Sequence, residues 1–150
     1  MGLQPRKYIK PKHRDLLFEK TKGKCALCAE ELEEKFAVTY IVNPARFNNL
    51  MTKHKQSPGT DIPSYLEHLE SHDGTHPDNM LACCISCNLH KKDMSVEQFR
   101  EKVVSTVGTL DKHNMNYKIA KRFDLIKETD RSKIIFYFEF LESYNNKVAV

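Results

Sequence analysis

Apolar positions fall into short runs with different periods, and each run predicts its own element. In residues 13–22 (HRDLLFEKTK), Leu16, Leu17 and Phe18 follow a short helical pattern, and Gly23 is placed to end that helix in the left-handed conformation. Residues 36–42 (FAVTYIV) are rich in β-branched and aromatic side chains and read as a strand, stopped by Asn43-Pro44. Residues 79–83 (NMLAC) make a second strand, and a helix follows from near Cys87 or Asn88. Ser95 and Gln98 form a capping box for SVEQFREKVVSTV, with Val96, Phe99, Val103 and Val107 on one face. Residues 114–127 read as another helix with Ile119, Phe123 and Ile126 inward. The run Ile134–Leu141 has strand-like residue types, but Ile134, Phe138 and Leu141 also share a helical face, and with no partner strand nearby it reads as helix.

The stretch between the strands is less regular. Pro58-Gly59, His72-Asp73-Gly74 and Pro77-Asp78 are turn signals, and Ser64 with Glu67 can cap a short helix carrying Tyr65, Leu66 and Leu69. The predicted organisation is a basic flexible arm at 1–12, a domain at 13–108 with an insertion at 45–72, and a helical C-terminal extension at 109–150 packed on the core. No internal repeat or low-complexity segment is present.

The 150 residues suffice for a single core with an extension. No run of about 18 apolar residues exists to span a membrane, and the basic N-terminus lacks the apolar segment of a secretory signal. The expected location is therefore intracellular, in the cytoplasm. A formal net charge of +4 is unevenly spread. Basic residues crowd before Cys25, an acidic cluster follows at Glu30, Glu31, Glu33 and Glu34, and further basic groups lie at His90, Lys91, Lys92 and at Lys118, Lys121, Arg122. Separate basic patches suit phosphate contacts, the plain alternative being a solvated surface.

Cysteine spacing carries the sharpest chemistry. KCALC and CISCN are two Cys-x-x-Cys units, and two intervening residues let both sulfurs reach one ion from a tight turn. Cys25, Cys28, Cys84 and Cys87 are thus expected to hold one structural zinc. Four thiolates close the coordination shell and leave no open position for catalytic water. Cys83 is left over, as a buried neighbour of the knuckle or at most a substitute ligand.

The stretch DGTHPDNMLACCISCNLHKK (Asp73–Lys92), with KTKGKCALC before it, resembles the four-cysteine HNH endonuclease family of ββα-metal, or His-Me finger, fold. The resemblance covers roughly residues 13–101. It implies an α+β fold, with a small zinc-stapled ββα-metal core, flanking helices and the helical C-terminal extension. In that family the first strand ends in Asp-His, the His deprotonating water and the Asp holding a divalent ion with the Asn or His after the last cysteine. Mapped onto this chain, Asn88 takes the second metal position for Mg or Mn, and Asn79 matches the Asn that orients the hairpin and the base. Thr39 stands at the Asp position and Tyr40 at the His position, so the catalytic positions are Tyr40, Asn79 and Asn88.

The departure matters chemically. Mg²⁺ favours anionic oxygen ligands, which a Thr hydroxyl is not. A base near pKa 6.5 suits neutral pH better than a phenol at about 10. Replacement groups would come from His54, His68 or His72 with Asp61, Glu67 or Asp73 in the insertion. The resemblance implies an HNH-type zinc-stabilised DNA-binding protein, a metal-dependent endonuclease or its diverged relative. The alternative is a catalytically inactive module that binds nucleic acid or a protein partner, such as a phage or mobile-element regulator or inhibitor. DNA is the expected partner, then RNA or a nucleic-acid-handling protein, with Lys10, Lys12, Arg14, His90, Lys91 and Lys92 as contacts.

Overall fold

Proline at a first helical position and glycine beyond the last turn bracket the first element, as helix-end chemistry favours. In the computed structural model, which describes residues 9–56, 74–129 and 134–148, α1 runs Pro11–Lys20. It starts at Pro11, inside the stretch expected as the basic arm. Lys22 and Gly23 follow with φ of 53° and 74°, and Gly23 N–H returns to Phe18 O at 2.9 Å. The expected left-handed stop is therefore present.

Strands β1 (Ala37–Tyr40) and β2 (Met80–Cys83) pair antiparallel, with Ala37 opposite Cys83 and Tyr40 opposite Met80. Side chains alternate across a strand, so this small sheet has two covered faces. Val38, Tyr40, Met80 and Ala82 pack with Leu17 of α1. Ala37, Leu81 and Cys83 face the larger core, with Phe47, Phe99 and Phe136.

Residues expected as an irregular insertion begin with a helix, α2 (Pro44–Gln56), whose Phe47 and Met51 are buried in that core. The missed signal was at its start: Asn43 Oδ1 accepts from Ala45 N–H at 3.0 Å, with Pro44 as first helical residue. The expected Ser64 helix lies outside the described residues. A 3₁₀ turn at Pro77–Asn79 leads into β2, then α3 (Ile85–Lys91) starts directly after Cys84.

The capping box of α4 (Val96–His113) is complete: Ser95 Oγ accepts from Gln98 N–H at 3.2 Å, and Gln98 Oε1 accepts from Ser95 N–H at 3.0 Å. α4 runs unbroken through the boundary drawn at 108/109. Only its first turn is deeply seated, through Val96 and Phe99; Val107 is exposed. α5 (Met115–Arg122) buries no side chain, so Ile119 and Phe123 point outward, against the expectation. The run from Ile134 becomes helical only at Tyr137, as α6 (Tyr137–Val148), and docks through Phe136, Phe138 and Leu141. Arg100 secures it. Its guanidinium donates to Ile134 O and to Glu139 Oε1 and lies 4.6 Å from the Phe136 ring centre. The molecule is α+β, with helices around a two-stranded sheet and a four-cysteine cluster at its edge. No described helix is long and apolar enough to cross a membrane.

Candidate metal centre

The first knuckle is made by local backbone bonds. Cys25 N–H donates to Glu30 O at 2.7 Å and Ala29 N–H to Cys25 O at 3.0 Å, with Ala29 at φ 66°. These bonds fold Cys25-Ala26-Leu27-Cys28 into a tight turn. The second knuckle is the entry to α3. Cys84 is its N-cap, its Sγ accepting from Cys87 N–H at 3.4 Å. A strand-type bond, Ala26 N–H to Ala82 O at 2.9 Å, brings the two knuckles together.

The result is four sulfurs within 4.8 Å of one another, from Cys25, Cys28, Cys84 and Cys87, with Cys28 Sγ 3.9 Å from Cys84 Sγ. Zn–S bonds of about 2.3 Å place the corners of a tetrahedron about 3.8 Å apart, so this donor set can hold a metal ion and is compatible with structural zinc. Charge points the same way. The Cys25 sulfur accepts from the Cys87 thiol and from nearby backbone N–H groups, which lowers its pKa, while the same contact raises that of Cys87. Burial pushes Cys28 up to about 11. Sulfurs this close resist sharing negative charge, and a divalent cation removes the conflict by stabilising all four thiolates. Cys83 is fully buried, its thiol pushed up to about 12 by burial, and it faces the large core outside the four-sulfur group. It is buried beside the second knuckle and is not one of the four grouped sulfurs.

The other expected site residues are distributed unevenly. Asn79 is completely buried. Its Oδ1 accepts from Val42 N–H at 3.0 Å, and its Nδ2 donates to Val42 O at 2.8 Å and Gly74 O at 2.7 Å. It holds the chain leaving β1 against the Gly74 turn and is sealed from any substrate, so it acts as a positioning residue. Thr39 is 4% exposed and lies on the large-core face. Tyr40 is half-buried on the α1 face and lines a narrow crevice with Asn43, Lys91, Lys92, Asp93 and Met94. Asp93 is a crevice residue that the sequence did not single out, because only the α3–α4 turn brings it to the end of β1, where Asn43 already lies. Asn88 sits half-buried within α3, its backbone N–H on Cys84 O at 3.1 Å. Among the described residues the cysteines are the one group of three or more Cys, His, Asp or Glu side chains able to hold an ion. His54 is half-buried on α2, and His68, His72, Asp61, Glu67 and Asp73 lie outside the described residues.

Of the basic set, Lys10, Lys12, His90 and Lys92 are exposed. Arg14 is half-buried, its guanidinium donating to Phe36 O at 2.7 Å and lying 4.3 Å from the Phe36 ring centre. Lys91 corrects the expectation: it is 1% exposed, and its Nζ donates to Met94 O at 2.5 Å. It fastens the α3–α4 turn from inside and offers no charge to an external phosphate. Comparison of the chain with protein-family models, curated proteins and solved structures finds no match.

Proposed function

We propose that this chain is a zinc-stapled, HNH-type protein that grips double-stranded DNA without cutting it. The observation that carries the reading is the order and joint of its core. An antiparallel pair, β1 and β2, runs directly into α3, and the helix start is clasped by Cys84 and Cys87 to the knuckle of Cys25 and Cys28. That order of two antiparallel strands and a helix supports the ββα reading the motif resemblance implies, with zinc as the proposed clasp. Exposed Lys10, Lys12 and Lys92 supply charge for phosphate contacts, with His90 exposed beside them.

The loss of hydrolysis follows from the end of β1. A Thr with a buried, neutral hydroxyl replaces the anionic ligand Mg²⁺ requires. A phenol replaces the imidazole base, and removing a general base lowers the rate by about 10²–10⁴.

Fluorescence anisotropy with a duplex, beside a plasmid-nicking assay in Mg²⁺ or Mn²⁺, tests both halves. Binding is expected to weaken about 40-fold between 50 and 200 mM salt if roughly three phosphates are neutralised. The double change Lys12→Glu with Lys92→Glu should weaken it further, and the plasmid should stay closed. Absence of duplex binding at low salt overturns the reading. Nicking that vanishes in Asn88→Ala overturns its non-cleaving half and restores the endonuclease.

A further inference from the structure

The four sulfurs of the cysteine cluster are close together but unequally accessible. Cys28 is exposed, Cys84 and Cys87 are half-buried, and Cys25 is sealed from water. A dissolved oxidant therefore meets Cys28 first. The sulfurs are also unequally held. Cys25 Sγ accepts from the Cys87 thiol and from backbone N–H groups of Leu27, Cys28 and Cys84, so its position is fixed from several sides. Cys28 Sγ lies 3.9 Å from Cys84 Sγ, at a solvent-facing contact. A disulfide needs sulfurs about 2.05 Å apart, so a closing movement of about 1.9 Å joins them.

That pair crosses the cluster. Cys28 belongs to the loop after α1, and Cys84 caps α3, 56 positions later. A bond between them keeps the two knuckles joined, whereas a bond inside either knuckle lets them part.

We infer that the cluster is a peroxide-responsive clasp: hydrogen peroxide converts Cys28 and Cys84 into a cross-knuckle disulfide, and the chain gives up its metal without letting the knuckles separate. The inference rests on the reading of the cluster as a zinc clasp and is independent of DNA binding. Metal-bound cysteines are thiolates, the nucleophilic form. The Cys28 thiolate attacks one peroxide oxygen; the O–O bond breaks, a sulfenic acid forms, and the departing hydroxide takes up a proton to become water. The Cys84 thiolate then attacks the Cys28 sulfur; the S–S bond forms, the S–O bond breaks, and the second hydroxide leaves as water. The two thiolates lose two electrons in all, and one peroxide is reduced to two waters with uptake of two protons. Cys25 and Cys87 remain, and two thiolates neither fill nor neutralise a site built for four.

Zinc is counted on the purified full chain, which is then treated with a few equivalents of hydrogen peroxide beside a zinc-sensing dye. One zinc per chain is expected at the start and its release during treatment. Free thiols, alkylated under denaturing conditions, should fall from five to three, and peptide mapping should place the lost pair in a Cys28–Cys84 link. Dithiothreitol with added zinc should restore all five. Cys83→Ala should form the same link. The oxidised chain, though free of zinc, should keep a cooperative unfolding transition that the reduced chain loses on chelation. A chain purified without bound zinc overturns the clasp and this inference with it. In a zinc-loaded chain, a bond inside one knuckle, a bond to Cys83, or a Cys28–Cys87 link overturns the cross-link alone. So does zinc that stays bound while the thiol count falls.

Discussion

Lys91 shows how much one side chain can mislead when read from sequence. HKK looks like a basic patch, yet the middle residue is withdrawn from water and its amine brought down to about 8, chiefly by burial. The sign follows from linkage. The folded pKa lies below the unfolded value near 10.5, so the native state binds fewer protons, and the charged buried amine is penalised below about pH 8. That penalty is relieved as pH rises from about 8 toward 10.5. Urea unfolding of the metal-loaded protein should therefore show wild type gaining on Lys91→Met between pH 7 and pH 10, by on the order of 1–3 kcal/mol. A difference that stays flat across that range would mean the amine titrates as it does in water. Thr39 and Tyr40 make the related point that chemistry depends on facing. They are adjacent, so one enters the large core while the other meets α1.

Among the elements, local chemistry was the dependable guide. The Gly23 stop, the Ser95–Gln98 box and the two short strands all follow from backbone rules that act within a few residues. What joins the elements is less local. Gly74 approaches the start of α2 so closely that an added Cβ would lie 2.6 Å from Pro44 Cα, and its carbonyl accepts from Asn79. Asn79 thus stitches three segments: the exit of β1, the Gly74 turn and the entry to β2. Asn79→Ala should leave Val42 and Gly74 backbone groups buried without that partner, at a loss of about 2–4 kcal/mol, visible as a lowered urea midpoint with unchanged slope. A loss within a few tenths of a kcal/mol would mean that water replaces the amide without cost. The helical reading of 114–127 holds only over Met115–Arg122, and there the face it marks looks outward: Ile119 is exposed, and Phe123 and Ile126 lie past the helix end.

At the scale of the molecule, the cysteine cluster joins the loop after α1 to the entry of α3, and the hairpin hangs between them. If zinc is the clasp, removing it leaves four crowded sulfurs with conflicting charge, and folding and metal binding are one equilibrium. A strong chelator should abolish the cooperative unfolding transition seen by circular dichroism. Cobalt(II) should give the absorption of a tetrahedral four-thiolate site in wild type and in Cys83→Ala, but an altered spectrum in Cys28→Ser. Identical spectra for all three would move the ligand set elsewhere. The sequence by itself determined the four sulfurs, the Gly23 stop, the Ser95–Gln98 cap and the two strands, though not α2, because two-residue spacings and helix ends are set by covalent geometry and short-range hydrogen bonds. Tertiary structure alone decided that Lys91 is inside, that Thr39 is buried on the large-core face, that Asn79 binds the backbone of Val42 and Gly74, and that the stripe of α5 is left open. Each of those is a question of which surface meets which, and burial is settled by distant segments that no local period records.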